Sequence, residues 1–393
     1  MTAPRKDTWV FNAQATSTLL IAAWYVVGVF LALAAVQNGA TSGGAVSGAA
    51  TQTGAAAIAS PLFASVSTFY QWGETWVIPL LLGVFYLGAG YLFQRHERVD
   101  SFASWRTFMK RKTIVLLTPF FAFTILTLAT ASVVGTEPEL MQVGIIAATP
   151  ELTLPAFVHA VLVDPVGPVG YFIVLWGFFI IARTPRTKRG MGVLLVLALA
   201  AKVVAIGLAN ADLSGVIPYY AMRMLDNWIW FVAGIALQFF GLQERVTKRS
   251  SASAAVAGFV VLGALLFALH WTGAASLAIL TALGLLCFYC VSGACFLRGD
   301  QVRFYGFVTQ YTMAIWLMHQ ILAKLCFCAL FALGISWVGP AAGSPLASAW
   351  VPIYALTCLF ACYVLPILVM KALSRVWKLG FIVYPSRYLP EKL

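Results

Sequence analysis

The stretch RTFMKRKTIVLLTPFFAFTILTLATASVV, residues 106–134, indicates the class of fold most clearly. Its first part is basic, and an uncharged apolar run from Thr113 to Val134 follows. A helix needs roughly 20 such residues to cross ~30 Å of hydrocarbon. The run is continuously apolar rather than alternating, which argues against a transmembrane β-strand. The stretch therefore predicts a membrane-spanning helix that begins next to a basic loop.

The same pattern recurs along the whole chain, in which 61% of the residues are hydrophobic. Ten apolar runs predict an all-α, polytopic membrane protein with ten transmembrane helices, forming one integral-membrane domain over residues 1–393. The fourth and sixth runs are short for a full crossing. The predicted spans are Thr16–Val36, Trp76–Phe93, Thr113–Val134, Val169–Ala182, Met191–Leu208, Trp228–Leu242, Ala254–His270, Leu277–Leu297, Val308–Leu333 and Trp350–Met370.

All but three of the 25 Lys and Arg residues lie on one side of the predicted membrane. Cytoplasmic loops retain Lys and Arg, so the pattern predicts cytoplasmic N and C termini in a multi-pass protein of a plasma or inner membrane. The formal charge of +12 has this topological explanation, and no nucleic-acid-binding pattern accompanies it. The basic positions are Arg5, Lys6, Arg95, Arg98, Arg106, Lys110, Arg111, Lys112, Arg183, Arg186, Lys188, Arg189, Arg245, Lys248, Arg249, Arg298, Arg303, Lys371, Arg375, Lys378, Arg387 and Lys392.

Two external loops and the C-terminal tail differ from plain connections. The loop 37–75 begins with a Gly-, Ala- and Ser-rich tract that is typical of a flexible linker. The loop 135–168 is long and partly apolar, which favours a cap over an external cavity. Residues 371–393 mix aromatic and basic side chains and predict a cytoplasmic interfacial tail.

Few residues in the predicted spans are able to carry chemistry. His319 is the one histidine well inside a span, and burying an ionisable group without a partner is costly, so it is a candidate catalytic base. The alternative is a neutral histidine bonded to a neighbouring carbonyl. Trp316 and Gln320 lie within one turn of it, so the three side chains predict a functional cavity with a base, an aromatic face and an amide.

Three basic residues outside the basic loops are further cavity candidates. Lys202 and Lys324 lie within spans, and no predicted span contains an acidic partner for them. Snorkelling towards the membrane surface is the favoured interpretation, and a basic cavity for an anionic ligand is the alternative. Arg223 is the only basic residue of the external loops. The seven cysteines lie in the last three spans with no completed ligand set, so neither a metal site nor a bound cofactor is predicted.

Three stretches resemble motifs of the membrane acyltransferases of family 3: FYLGAGYLF at residues 85–93, FMKRK at 108–112 and TPFF at 118–121. YG at 305–306, IWLMH at 315–319 and WFVAG at 230–234 are similar to later motifs of that family. The resemblance implies ten spans and transfer of an acyl group, often acetyl from acetyl-CoA, to sugars of cell-surface polymers. The chain departs from the family by lacking an Arg and a His in its first span.

The resemblance implies that the protein is an O-acyltransferase acting on a surface glycan or glycolipid, with acyl-CoA as co-substrate and the lipid bilayer as its setting. Lys110, Arg111 and Lys112 lie at the cytoplasmic membrane face, where they are able to hold the donor phosphates. Their alternative role is to set topology. His319 is the in-membrane base that remains. Two other functions stay open, namely a non-catalytic relative that exports a saccharide intermediate, and an unrelated small-solute transporter.

Overall fold

The computed structural model describes residues 7–37, 61–134, 152–213, 215–296, 303–333 and 350–389. Across these ranges the chain is helical and forms no strand. Apolar segments in a bilayer must satisfy their backbone hydrogen bonds internally, and a helix does so within one segment. Nine helices in the described ranges are long and apolar enough to cross a membrane. The predicted all-α, multi-span fold class is confirmed at this level.

Turns of other helical types join two pairs of the described helices. A 3₁₀ turn at Gly167–Val169 joins α4 to α5, and a π-helical turn at Phe360–Val364 joins α12 to α13. The helices are α1 (Thr8–Gln37), α2 (Pro61–His96), α3 (Phe102–Val134), α4 (Leu154–Leu162), α5 (Gly170–Ile181), α6 (Lys188–Asn210), α7 (Tyr219–Phe239), α8 (Gln243–Val246), α9 (Arg249–Ala268), α10 (Ala274–Phe296), α11 (Arg303–Ala332), α12 (Trp350–Leu359), α13 (Leu365–Arg375) and α14 (Trp377–Val383).

Several basic loops gather at one end of the helix bundle, which we call the basic end and define by Asp7, residues 95–112 and residues 183–189. Ion pairs tie these segments together: Asp7 with Arg95 and His96, Glu97 with Lys112, and Asp100 with Arg186. Helices α1, α3 and α6 therefore begin at this end, and α2 and α5 end there. The predicted basic positions 5, 6, 298 and 392 lie outside the described residues.

The predicted starts of the first two spans are wrong. α1 begins at Thr8 rather than Thr16, because its polar residues Asn12 and Ser17 are buried against other helices instead of facing lipid. α2 begins at Pro61, so the predicted external loop 37–75 is too long at its C-terminal end. The part of that loop at residues 38–60 lies outside the described residues.

The fourth and sixth predicted spans need different corrections. α5 matches the fourth, but the loop 135–168 before it contains helix α4, and residues 154–181 form one candidate span. α7 begins nine residues before the sixth predicted span and includes Arg223 and Asp226. It is not among the nine candidate spans, because its polar residues lower its mean hydropathy. The count of ten spans stays a prediction.

Helices α2 and α7 approach each other closely through two glycines. A Cβ atom added at Gly90 would lie 1.9 Å from the Phe231 carbonyl oxygen, and one added at Gly234 would lie 2.0 Å from the Leu87 carbonyl oxygen. Small residues permit such backbone contact between helices, and packing of this kind stabilises bundles in lipid. The pairing holds the last third of α2, including Ala89, at a fixed position in the bundle.

Candidate functional site

A cavity of about 300 Å³ opens near the basic end, between helices α1, α2, α3 and α5. Its volume is at the lower end of the range typical of small-molecule sites. Most of its wall is apolar, and its polar side chains are one amide and three ionisable groups. The lining residues are Phe11, Gln14, Ala89, Leu92, Phe93, His96, Glu97, Lys112, Val115, Leu116, Leu175 and Phe179.

Two of the sequence stretches singled out above form walls of this cavity. The stretch 85–93 on α2 supplies Ala89, Leu92 and Phe93. The stretch 108–112 supplies Lys112, and Val115 follows one turn later on α3. The third stretch, 118–121, continues α3 into the bundle, where Phe120 is fully buried. The structure thus brings together residues of two stretches that lie about twenty positions apart in the chain.

The charged rim of the cavity centres on Lys112. Its Nζ lies 3.2 Å from Glu97 Oε1 and 5.2 Å from the ring centroids of Phe108 and Phe179. These contacts hold the ammonium group against the α2–α3–α5 junction. Of the other predicted donor-binding residues, Lys110 is exposed and Arg111 is half-buried, and no carboxylate of the described residues forms an ion pair with either. Lys112 lines the cavity, whereas Arg111 and Lys110, which precede it on α3, do not.

A second ionic group at the cavity mouth was missed by the sequence analysis. Asp7 Oδ2 lies 3.0 Å from His96 Nε2, and Asp7 Oδ1 lies 2.8 Å from Arg95 Nη1. Arg95 also donates to the Tyr91 hydroxyl over 2.8 Å. Asp7 precedes the predicted first span by nine residues and is 89 residues away from His96. No local pattern in the sequence points to this pairing.

The polar lining of the cavity from α1 was also missed. Gln14 lies before the predicted start of the first span, so it was not considered as an in-membrane residue. Asn12, close by on α1, is fully buried, and neither its amide nitrogen nor its amide oxygen has a hydrogen-bond partner among the described residues. The signal in the sequence was the polar run at residues 12–18, which is unusual at the start of an apolar helix.

His319 lies away from this cavity. Its ring is 1% exposed, and its Nδ1 lies 3.0 Å from the Ile315 carbonyl oxygen and 2.9 Å from that of Trp316. It contacts α1 at Tyr25, with ring centroids 5.6 Å apart. Tyr25 is eleven residues beyond Gln14 along α1, which corresponds to about 16 Å. These contacts match the neutral, carbonyl-bonded alternative, and the catalytic role of His319 stays a prediction.

The neighbours predicted for His319 lie near the 3₁₀ turn between α4 and α5. Trp316 is buried, and its Nε1 donates to the Pro168 carbonyl oxygen over 3.0 Å. Gln320 Oε1 approaches the position of a Cβ at Gly167 to within 3.9 Å. Neither side chain lines the described cavity. The structure thus places Trp316 and Gln320 at a junction between helices, where the Trp316 indole N–H is already hydrogen-bonded to a backbone carbonyl oxygen.

Lys202 has an acidic partner, contrary to the sequence prediction. Its Nζ lies 2.5 Å from Asp226 Oδ1 and 5.3 Å from the centroid of the Trp230 ring. The prediction was wrong because α7 begins early enough to place Asp226 inside the bundle. Arg223 stacks over Tyr219 at 5.0 Å, and Lys324 is half-buried near the far end of α11. None of these three cavity candidates lines the cavity at the basic end.

Comparison with known proteins adds no family assignment to this geometry. No family model, no curated protein and no solved structure matches the chain.

Proposed function

We propose that the protein is a membrane-embedded O-acyltransferase that takes its acyl group from acyl-CoA at the basic end. One observation carries the proposal: two stretches that resemble the acyltransferases of family 3, at residues 85–93 and 108–112, form walls of one cavity. The proposal includes a cytoplasmic location for the basic end and for both chain termini, because Lys and Arg are retained on that side of a membrane.

The chemistry of the cavity suits an acyl-CoA. The apolar walls around Leu92 and Leu116 suit the acyl chain and the pantetheine arm, and the Gln14 amide suits the pantetheine amides. The phosphates carry the negative charge of the donor, and Arg111 and Lys110, which precede the cavity-lining Lys112 on α3, have no carboxylate partner among the described residues. The proposed acceptor is a hydroxyl of a surface glycan or glycolipid.

Binding of acetyl-CoA to the purified protein in detergent tests the proposal. Arg111→Ala is expected to raise the Kd about tenfold, because a charged hydrogen bond is worth roughly 1.5–3 kcal/mol. Lys188→Gln removes a charge from an exposed position at the basic end outside the cavity, so it is expected to leave the Kd unchanged.

A second pair of variants tests whether the cavity is the binding site. Ala89→Trp fills the cavity and is expected to abolish binding. Ala200→Trp makes the same change on an exposed face of α6 and is expected to bind like the parent. A parent protein without saturable binding would end the acyltransferase proposal in favour of the export or transport alternatives. Equal binding by both tryptophan variants would reject the cavity as the donor site.

A further inference from the structure

An imidazole at the mouth of the cavity is held by a buried carboxylate. His96 lines the cavity, and its Nε2 lies 3.0 Å from Asp7 Oδ2. The Asp7 side chain is 9% exposed, whereas the His96 side chain is 57% exposed. One edge of the imidazole therefore meets the protein, and the rest of the ring is accessible to a ligand and to water.

The carboxylate is itself held from two other helices. Arg95 Nη1 lies 2.8 Å from Asp7 Oδ1 and donates to the Tyr91 hydroxyl. The Tyr91 hydroxyl donates in turn to Gln243 Oε1 over 2.6 Å. This chain of contacts links the start of α1, the end of α2 and α8. A side chain fixed in this way is pre-organised, which is what efficient proton transfer requires.

The geometry also sets the roles of the two ring nitrogens. The ionised carboxylate only accepts hydrogen bonds, so Nε2 carries the proton that faces Asp7. In the neutral ring Nδ1 then has a lone pair and accepts a proton. We infer that His96, oriented by Asp7, is the general base of the acyl transfer. This inference rests on the proposed acyltransferase function and adds the residue that moves the proton.

The proposed step balances in atoms and charge. His96 Nδ1 takes the proton of the acceptor hydroxyl while the hydroxyl oxygen attacks the carbonyl carbon of the thioester. The carbon–sulfur bond then breaks, and the imidazolium returns its proton to the departing thiolate. The products are an ester and free CoA. Asp7 stays ionised and stabilises the imidazolium without taking its proton, which is the role of the carboxylate in a Ser-His-Asp triad.

The other titratable groups at the cavity are less suited to this role. Glu97 is engaged by Lys112 at 3.2 Å. His319 contacts Tyr25, which lies about 16 Å beyond the cavity-lining Gln14 along α1 by helical rise. The charged groups around His96 are Asp7, which directly precedes α1, Arg95 and Glu97 at the end of α2, and Lys112 of α3, which lines the same cavity.

Transfer from acetyl-CoA to octyl glucoside tests the inference, with water as a second acceptor. Release of the CoA thiol reports both reactions, and mass spectrometry reports the acetylated glucoside. His96→Gln is expected to lower the rate of thiol release by about 10²–10⁴-fold, the usual contribution of a general base, with the Kd of acetyl-CoA within twofold of the parent. His159→Gln, an exposed histidine on α4, is the matched control and is expected to act like the parent.

Two readouts separate catalysis from a structural role. Free imidazole is expected to restore part of the activity of His96→Ala, because the site is open to solvent. Asp7→Asn is expected to shift the acidic limb of the pH–rate profile, because it removes the charge that stabilises the imidazolium. A structural contribution alone gives neither effect.

The outcomes also distinguish the two proposals. The acyltransferase function itself is rejected if the parent fails to bind acetyl-CoA. It is also rejected if the parent binds acetyl-CoA but releases no CoA thiol with either octyl glucoside or water as the acceptor. A parent that binds and reacts, with a folded His96→Gln variant of equal rate and unchanged pH profile, rejects only the role of His96. If His96→Gln does not fold, failure of imidazole to restore His96→Ala together with an unshifted Asp7→Asn profile rejects that role as well.

Discussion

Gly90→Ala tests the closest helix contact that positions the cavity wall. The added Cβ atom would lie 1.9 Å from the Phe231 carbonyl oxygen, whereas ordinary van der Waals contact begins at 3.4 Å. The difference means that α2 and α7 must separate by about 1.5 Å at this point. The obstructing atom belongs to the backbone, so no side-chain rotation relieves the clash.

The expected cost follows from two opposing terms. Overpacking a well-packed interior costs typically about 1–3 kcal/mol, and separating two helices by more than 1 Å forfeits at least half of their local dispersion energy. Replacing Gly by Ala inside a helix returns up to about 1 kcal/mol. We expect a net loss of about 2–3 kcal/mol. For a chain of this size that loss corresponds to a Tm lower by roughly 3 °C.

Thermal unfolding of the purified protein in detergent, followed by tryptophan fluorescence, measures this loss. Gly192→Ala on α6 is the matched control, because no atom lies within 4 Å of the Cβ position there. The control is expected to unfold at the parent temperature or slightly above it. If Gly90→Ala unfolded at the same temperature as Gly192→Ala, the close approach of α2 and α7 would be refuted. Acetyl-CoA binding should also weaken in Gly90→Ala alone, because Ala89 lines the cavity.

Three other changes have outcomes that the structure predicts. Lys202→Ala is expected to lower the free energy of unfolding by about 3 kcal/mol, because it leaves the Asp226 charge unpaired. Adding Asp226→Ala should recover more than half of this loss, and a double mutant no more stable than Lys202→Ala contradicts the reasoning. His319→Gln should keep the affinity for acetyl-CoA within twofold of the parent and lose about 1–2 kcal/mol of stability, since His319 Nδ1 bonds only helical carbonyl oxygens. Loss of acetyl-CoA binding in this variant would show that His319 belongs to the binding site. Burial raises the pKa of Tyr384 from 10.0 to about 12. The stabilisation from its hydrogen bond to the Gln310 carbonyl oxygen is therefore complete below pH 10 and is lost as the pH rises through 12. Limited proteolysis of the tail between pH 9 and 12 should show this loss in the parent, and Tyr384→Phe should show no such step.

The helical, multi-span class and the segregation of basic residues can be read from the sequence alone. Both are local properties, because a helix makes its backbone hydrogen bonds within one segment and each apolar run is recognisable without the rest of the chain. The run after Lys112 is an example, since α3 continues through the predicted span to Val134 as expected. The boundaries failed where protein contacts accommodate polar residues, as where Asn12 on α1 is buried and where Asp226 on α7 pairs with Lys202.

Which side chains meet depends on how the helices pack against one another. Asp7 and His96 are 89 residues apart, and Lys202 pairs with Asp226, which lies in the part of α7 before the predicted sixth span. The pairing of two charges across helices depends on the rotation and depth of each helix, and hydropathy encodes neither quantity. Those two quantities bring Gln14, Ala89 and Lys112 to one cavity and leave His319 outside it, because helix packing is set by contacts such as Gly90 against Phe231.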